Sequence, residues 1–371
     1  MTDTLLVLLV SDQTIPNVQF LKWFFTNRLQ TVGVLFVSTQ KMETNKKGEC
    51  TLNAVANLGK WISNKETITV DENSIDDVQT KISQVIEKIE PKKIVVNITC
   101  GTKMMSLATY DYFKAKNNCE IYYQPITSSL QRIYPTNETY ANPEITIEEY
   151  MKAHGIEFKP DNTCVMDYDY NKDVYEKIIK DNHEKIKPIV SMQNNSYFKN
   201  IFKRKDSIDF TQIPDEKFVT EKGSKTNKEE VLEVIKNFGF DITKISHFQL
   251  KYITGGWFEE YVYQKIKTEQ KLGDDKIALN VSINKNNDKN ELDIVYIDSK
   301  NKLHVIECKS FIDEKKDSKL LTDTLYKAQA IKTKFGLNVV SSCYTKSKIT
   351  KDSALNRAKD FGITIITGAT T

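Results

Sequence analysis

Asp293, Glu307 and Lys309 are the residues of the stretch NELDIVYIDSKNKLHVIECKS, residues 290–310, whose types could do chemistry together. Its two apolar-alternating runs, joined by the polar turn 298–302, read as a β-hairpin. Alternation places Asp293, Val295 and Ile297 on one face of the first strand, and Leu303, Val305, Glu307 and Lys309 on one face of the second. With the turn centred on Lys300, the register sets Asp293 opposite Glu307 and Val295 opposite Val305. Like charges directly opposed on a half-buried face destabilise a sheet. A divalent cation between them removes that penalty, and hard oxygen ligands suit Mg²⁺ or Mn²⁺. An E-x-K tripeptide alone arises easily on an exposed strand. A register that brings an Asp opposite the Glu, between the apolar runs IVYI and LHVI, is much harder to reach by chance.

A second set of polar residues falls at strand ends near the N-terminus. SDQTIPN (11–17) follows the apolar run TLLVLLV (4–10), and NITCGTKMMS (97–106) closes the run KKIVVNIT (93–99). In an open parallel sheet, ligands bind outside the carboxyl ends of the strands. Asn97 and Thr99 stand at such an end, Gly101 permits close backbone approach, and Thr102 and Lys103 open a helix whose free N–H groups favour an anion. Neither GxGxxG nor the Walker sequence occurs, so this is not a standard nucleotide fingerprint. CGTK by itself is equally an ordinary helix start.

The elements that position these groups alternate along the first part of the chain. Buried strand patterns at 4–10, 32–39, 93–99 and 120–126 are separated by helical patterns at 18–29, 75–89 and 103–116. Right-handed crossovers then give a mainly parallel, Rossmann-like sheet. Residues 149–245 loosen into polar helical segments, including DVYEKIIKDNHEKIKPIV (173–190), and read as a connector with helical decoration. The last part, 246–371, runs helix 257–269, strand 276–284, the hairpin, helix 320–335, strand 337–345, a helix near SALNRAKDFG and a final strand 363–367. The chain is therefore α/β throughout, in two sheet-bearing domains, 1–148 and 246–371.

Composition supports a two-domain globular chain. The 371 residues exceed the size at which single cores stop growing; 39% are hydrophobic and 28% charged, which excludes wholesale disorder. A net charge of +3 gives no global argument for nucleic-acid binding, so any basic surface is local. The six cysteines contain no CxxC pair, and the four histidines show no ligand spacing, which argues against a zinc site and a disulfide framework. TLLVLLV is too short to span a membrane and lacks the features of a signal peptide, so a cytoplasmic protein is expected.

The hairpin resembles the active-site core of the PD-(D/E)XK, restriction-endonuclease-like nucleases, with Asp293, Glu307 and Lys309 matching the acid and the E-x-K. The resemblance implies an ion bound by Asp293 and Glu307 that polarises the scissile phosphate and activates water, with Lys309 orienting that water or neutralising developing charge. It further implies an acid from the preceding helix, and GGWFEEYVYQKI offers Glu259, which follows the aromatic pair, with Glu260 as the alternative. Gln329 lies where related enzymes carry another polar group. VLLVSDQTIPNVQFLKWF with VVNITCGTKMMSLA is similar to the CARF domain, the Rossmann-fold sensor of type III CRISPR immunity, over about the first 145 residues. That likeness implies Ser11, Gln13, Thr14, Ser38, Thr39, Asn97, Thr99, Gly101, Thr102 and Lys103 as ligand contacts. The whole chain resembles the cyclic-oligoadenylate-activated nucleases of these systems. Such a resemblance implies a homodimer, a cyclic tetra-adenylate activator whose symmetry matches the two-fold axis, and RNA or DNA as substrate. Three other readings stay open: a sensing regulator that binds nucleic acid without cutting, an enzyme that degrades the ring with Thr102 and Lys103, and a nuclease that needs no activator.

Overall fold

The computed structural model describes residues 3–125, 129–165, 185, 186, 188–192, 195–220, 222–285, 288–310, 312, 318–335 and 339–367. Most of the helical pattern read over 173–190 lies outside them, as do residue 126 and residues 337 and 338 of two expected strands.

β1 (Thr4–Leu9) is buried at every position, as a run with no polar face requires. It lies inside a seven-stranded sheet of order β3-β2-β1-β4-β5-β6-β7. The other members are β2 (Val32–Ser38), β3 (Ile62–Thr69), β4 (Lys93–Asn97), β5 (Cys119–Tyr123), β6 (Leu130–Tyr134) and β7 (Glu138–Tyr140). The β3-to-β5 block is parallel, and β6 and β7 extend it antiparallel. β3 is absent from the sequence reading because ISNKETIT is largely polar; it is an edge strand, with Asn64 to Lys65 and Thr67 exposed. The helix Ile15–Asn27 starts three residues before the pattern suggested, since Pro16 fits its first turn. Its Phe20, Trp23 and Phe24 pack with Leu6, Leu8, Val34 and Tyr122 on one side of the sheet. On the other side, Val78, Ile82 and Val85 of the helix Ile75–Ile89 join Leu5, Val7, Val96 and Met105. Burial of these large side chains contributes roughly 1.5–3 kcal/mol each before entropy is subtracted.

A second sheet of six strands has the order β15-β14-β13-β12-β11-β8. It comprises β8 (Glu157–Pro160), β11 (Ile277–Lys285), β12 (Asp288–Ile297), β13 (Leu303–Lys309), β14 (Val339–Thr345) and β15 (Ile363–Thr367). The expected hairpin is thus present as β12 and β13, and the expected helix over 257–269 is Trp257–Glu269. A two-stranded ribbon, β9 (Ser207–Ile208) with β10 (Ile245–Ser246), accompanies buried Phe198, Phe210 and Phe218 and the helix Lys228–Asn237. These apolar groups give the stretch read as decoration a small core of its own.

Contacts divide the chain into two compact units. One holds 1–161, 273–305 and 326–341; the other holds 162–272, 306–325 and 342–371. No helix among the described residues is long and apolar enough to cross a membrane.

Candidate ligand pocket and catalytic strand

β1 and β4 are parallel neighbours, with Leu8 beside Asn97, and the chain leaves them for β2 on one side and β5 on the other. A crevice outside the strand ends is the geometric result of such a switch point. A cavity of about 520 Å³ opens there, within the first unit. Ser11, Gln13, Thr99 and Gly101 of the expected contacts line it, together with Gln19, Tyr123, Gln124, Asn142, Lys300 and Lys302. Gly101 has φ +82°, and a Cβ there would stand 3.2 Å from the Leu9 Cβ, so the loop turns tightly over β1 only without a side chain. The Cys100 thiol donates to the Gln13 carbonyl at 3.0 Å, and burial pushes it up to about 12, which leaves it an unreactive small group.

The remaining expected contacts are not part of the described lining of the cavity. Asn97 is fully buried; its Nδ2 donates to Asn17 Oδ1 at 2.9 Å, and its Oδ1 accepts from the Thr99 hydroxyl and from Thr99 N at 3.2 Å. Asn17 in turn donates to the Leu9 carbonyl at 2.8 Å, so the β4 end is tied to the end of β1. Thr14 and Ser38 are buried, and neither hydroxyl oxygen has a partner among the described residues. Thr39 caps Gln40–Thr44 by accepting from Met42 N at 3.4 Å. Thr102 caps Lys103–Lys114, accepting from Met105 N at 3.2 Å and donating to the Glu72 carbonyl at 3.1 Å. Lys103 is exposed. Gln19 and Gln124 were missed, although both left a signal. Gln19 is a buried polar residue beside Phe20 on an aromatic helix, and Gln124 follows a third parallel strand end.

The strand β13 carries its charges as alternation requires. Glu307 is 7% exposed, and Lys309 Nζ donates to its Oε1 at 2.8 Å and to the Cys308 carbonyl at 3.1 Å. Cys308, pointing the other way, is buried. Asp293 is half-buried on β12, which neighbours β13 in the sheet order. Strict alternation fails around it. Leu292 shares an apolar cluster with Val295 and Ile297, and on β11 Ala278 shares it with Val281 and Ile283. The cause is Asn280, at φ +50° between the pairs Leu279–Ile294 and Val281–Leu292, which places a local kink opposite Asp293.

Of the two helical acids, Glu260 is 1% exposed and accepts from Val165 N at 2.9 Å, whereas Glu259 is half-buried. A π-helical turn, Tyr252–Gly256, leads into their helix. Gln329 has a buried Oε1 without a partner among the described residues. Among the described residues, no three Asp, Glu, His or Cys side chains gather as a metal-binding group. Mg²⁺ ordinarily uses only one or two carboxylates, with waters and substrate phosphates completing its shell. Asp293 and Glu307 are each carboxylates of the kind such an ion takes.

Family models match for the Card1 CARF domain at residues 5–150, the Card1 hinge domain at 161–247 and the Card1-like endonuclease domain at 246–371. No curated protein sequence matches. Among solved structures, the fold is similar to protein VC1899 from Vibrio cholerae, at TM-score 0.73 and 18% identity over 99% of this chain and 94% of that one. It is also similar to Can2 from Sulfobacillus thermosulfidooxidans, solved with cyclic tetra-adenylate, at TM-score 0.66 and 22% identity over 98% and 95%. A type III CRISPR defence DNA nuclease activated by cyclic oligoadenylate aligns at TM-score 0.53 and 14% identity over 92% and 45%. With a CARF domain, a hinge and an endonuclease domain of the Card1 type following one another along its length, the chain belongs to the Card1-like family.

Proposed function

We propose that this protein is a metal-dependent endonuclease switched on by cyclic tetra-adenylate, acting as a homodimer on RNA, DNA or both in antiviral defence. The observation that carries the reading is the Glu307–Lys309 pair, held at 2.8 Å on a largely buried strand face in a chain that also bears a CARF domain. Asp293 and Glu307, with Glu259, would hold Mg²⁺ or Mn²⁺, which when bound supplies a Lewis acid for the phosphate and an acidified water. Glu307 keeps the Lys309 ammonium at one place on the strand. Lys309 is thereby positioned to neutralise charge that develops on phosphate oxygen. Exposure of only 7% at Glu307 strengthens these interactions by excluding water.

On the sensor side, Ser11, Gln13, Thr99 and Gly101 offer hydroxyl, amide and bare backbone groups to half of a ring, and a two-fold partner offers the same groups to the other half. The ring activates because it binds the cutting arrangement better than the resting one. Backbone contacts without base readout would make cleavage sequence-tolerant.

The test incubates the full chain with labelled single-stranded RNA, single-stranded DNA and supercoiled plasmid, with Mg²⁺ or Mn²⁺, with and without cyclic tetra-adenylate. Cleavage that requires both ring and metal and disappears in Glu307→Ala is the expected result. Cleavage without the ring removes the switch from this reading, and ring binding without any cleavage replaces the nuclease by a non-cutting regulator.

A further inference from the structure

The sensor cavity has a wall that does not come from the sensor sheet. Ser299, Lys300, Asn301 and Lys302, the turn of the β12–β13 hairpin, line it. Lys300 is exposed and Lys302 half-buried, and they are the only charged residues among the described lining. A cavity lined by neutral hydroxyls, amides and backbone on one side and by two ammonium groups on the other is built for an anion with several polar edges.

The turn is held rigidly and is wired to the sensor. Asp298 Oδ1 accepts from Lys300 N and Lys302 N, both at 2.9 Å, while its Oδ2 pairs with His304 Nε2 at 3.0 Å. Asn301, at φ +58° and 5% exposed, donates from Nδ2 to the Pro143 carbonyl at 3.0 Å and accepts from Ile145 N at 3.0 Å. The Pro143 carbonyl also accepts from Gln19 Nε2 at 3.4 Å, and Gln19 Oε1 accepts from Gln124 Nε2 at 2.6 Å. Gln124 N donates to the Thr99 hydroxyl at 2.9 Å, and that hydroxyl donates to Asn97. An unbroken chain of hydrogen bonds thus joins the end of β4 to the turn from which β13 carries Glu307 and Lys309.

Resting on the activator reading above, we infer that the turn Asp298–Lys302 is part of the activator site, with Lys300 and Lys302 meeting ring phosphates and Asn301 passing occupancy of the pocket to the catalytic strand. Lysine contacts give affinity through charge-assisted hydrogen bonds. Asn301 gives coupling, because a ligand that pulls on Gln19 or Gln124 alters the group that seats the turn.

Two variants of the full chain separate these roles. Binding of fluorescently labelled cyclic tetra-adenylate and ring-dependent cleavage are both measured, with thermal unfolding as a folding control. Lys300→Ala with Lys302→Ala should weaken ring binding about tenfold and raise the ring concentration for half-maximal cleavage in step. Asn301→Gly keeps the positive φ but removes both side-chain hydrogen bonds. It should bind the ring within about threefold of the parent while activated cleavage falls about tenfold. Variants that match the parent in binding and activation overturn this inference alone. A parent chain that neither binds the ring nor cuts in its presence overturns the activator reading and this inference with it.

Discussion

The end of β4 and the end of β13 solve the same problem, a polar group held in a buried place, by opposite means. At β4, Asn97 bridges Asn17 and Thr99 with neutral hydrogen bonds. At β13, Glu307 and Lys309 hold each other as an ion pair. A neutral network fixes shape, since each partner has a required geometry and none titrates near neutrality. An ion pair keeps charge available at low exposure, where removing one member leaves the other stranded. The contrast teaches that a neutral network fixes the shape of a strand end, whereas an ion pair keeps charge available there.

Breaking the charged end should give the largest effect. Glu307→Gln preserves side-chain volume and leaves Lys309 without its carboxylate. Nuclease turnover with ring and metal present should fall by about two to three orders of magnitude, the scale seen when one electrostatic stabiliser is removed from an active site. Ring binding should change little, while the melting temperature should fall, because Lys309 is left beside a neutral partner at low exposure. Turnover near that of the parent would mean that β13 is not where the chemistry occurs.

Breaking the neutral end should act on stability and binding together. Asn97→Leu fills the same space but leaves Asn17 Oδ1 and the Thr99 hydroxyl without their buried partner. Urea unfolding should show a loss of about 1–3 kcal/mol. Ring affinity should fall as well, because Thr99 loses the group that aims it at the cavity. A stable variant with normal ring affinity would show that the bridge is dispensable to the pocket.

How much of this was legible depends on the range of the interactions. The hairpin and the helix Trp257–Glu269 were readable because their periodicities are strong and local. Thr99 and Gly101 at the cavity followed from the strand-end rule, and Ser11 and Gln13 from the likeness to the CARF domain. Asn97 was also singled out, but burial at the strand end turns its side chain inward to Asn17, a partner 80 residues away. The edge strand β3 was hidden by its polar sequence. Lys300 and Lys302 could not be placed at the cavity, since nothing local ties a turn at 300 to a loop at 100. The kink at Asn280 was equally invisible, because Asn in a strand pattern signals weaker pairing without giving its own φ.

Gly101→Ala sharpens the comparison at smaller scale. The new Cβ would meet Leu9 Cβ at 3.2 Å in a left-handed backbone, costing about 1–2 kcal/mol. A matching substitution at exposed Gly223, also at positive φ but with open space around its Cβ, pays the conformational cost without the contact. Calorimetric melting of both variants separates the two contributions. Only Gly101→Ala should also weaken ring binding.

The smallest effect tests whether charge on the sensor sheet is structural only. Near the start of β5, Glu120 meets Arg28 at 2.7 Å, Lys93 at 2.8 Å and the Tyr122 hydroxyl at 2.9 Å. Burial alone would raise its carboxyl, but hydrogen bonds from Lys93 and Arg28 outweigh it and hold the group at about 2, below its ordinary 4.5. A depressed carboxyl stabilises the fold fully above its unfolded value, and that stabilisation drains away as pH falls from 4.5 toward 2. Glu120→Gln lacks it. The difference in unfolding free energy between parent and variant should therefore be largest at neutral pH and shrink steadily below pH 4.5, with the titration of all other carboxylates cancelling. A difference that stays constant down to pH 3 would show that the Arg28–Glu120–Lys93 cluster contributes through packing rather than charge, whereas a shrinking one with unchanged ring binding sets it apart from the pocket at the opposite strand ends.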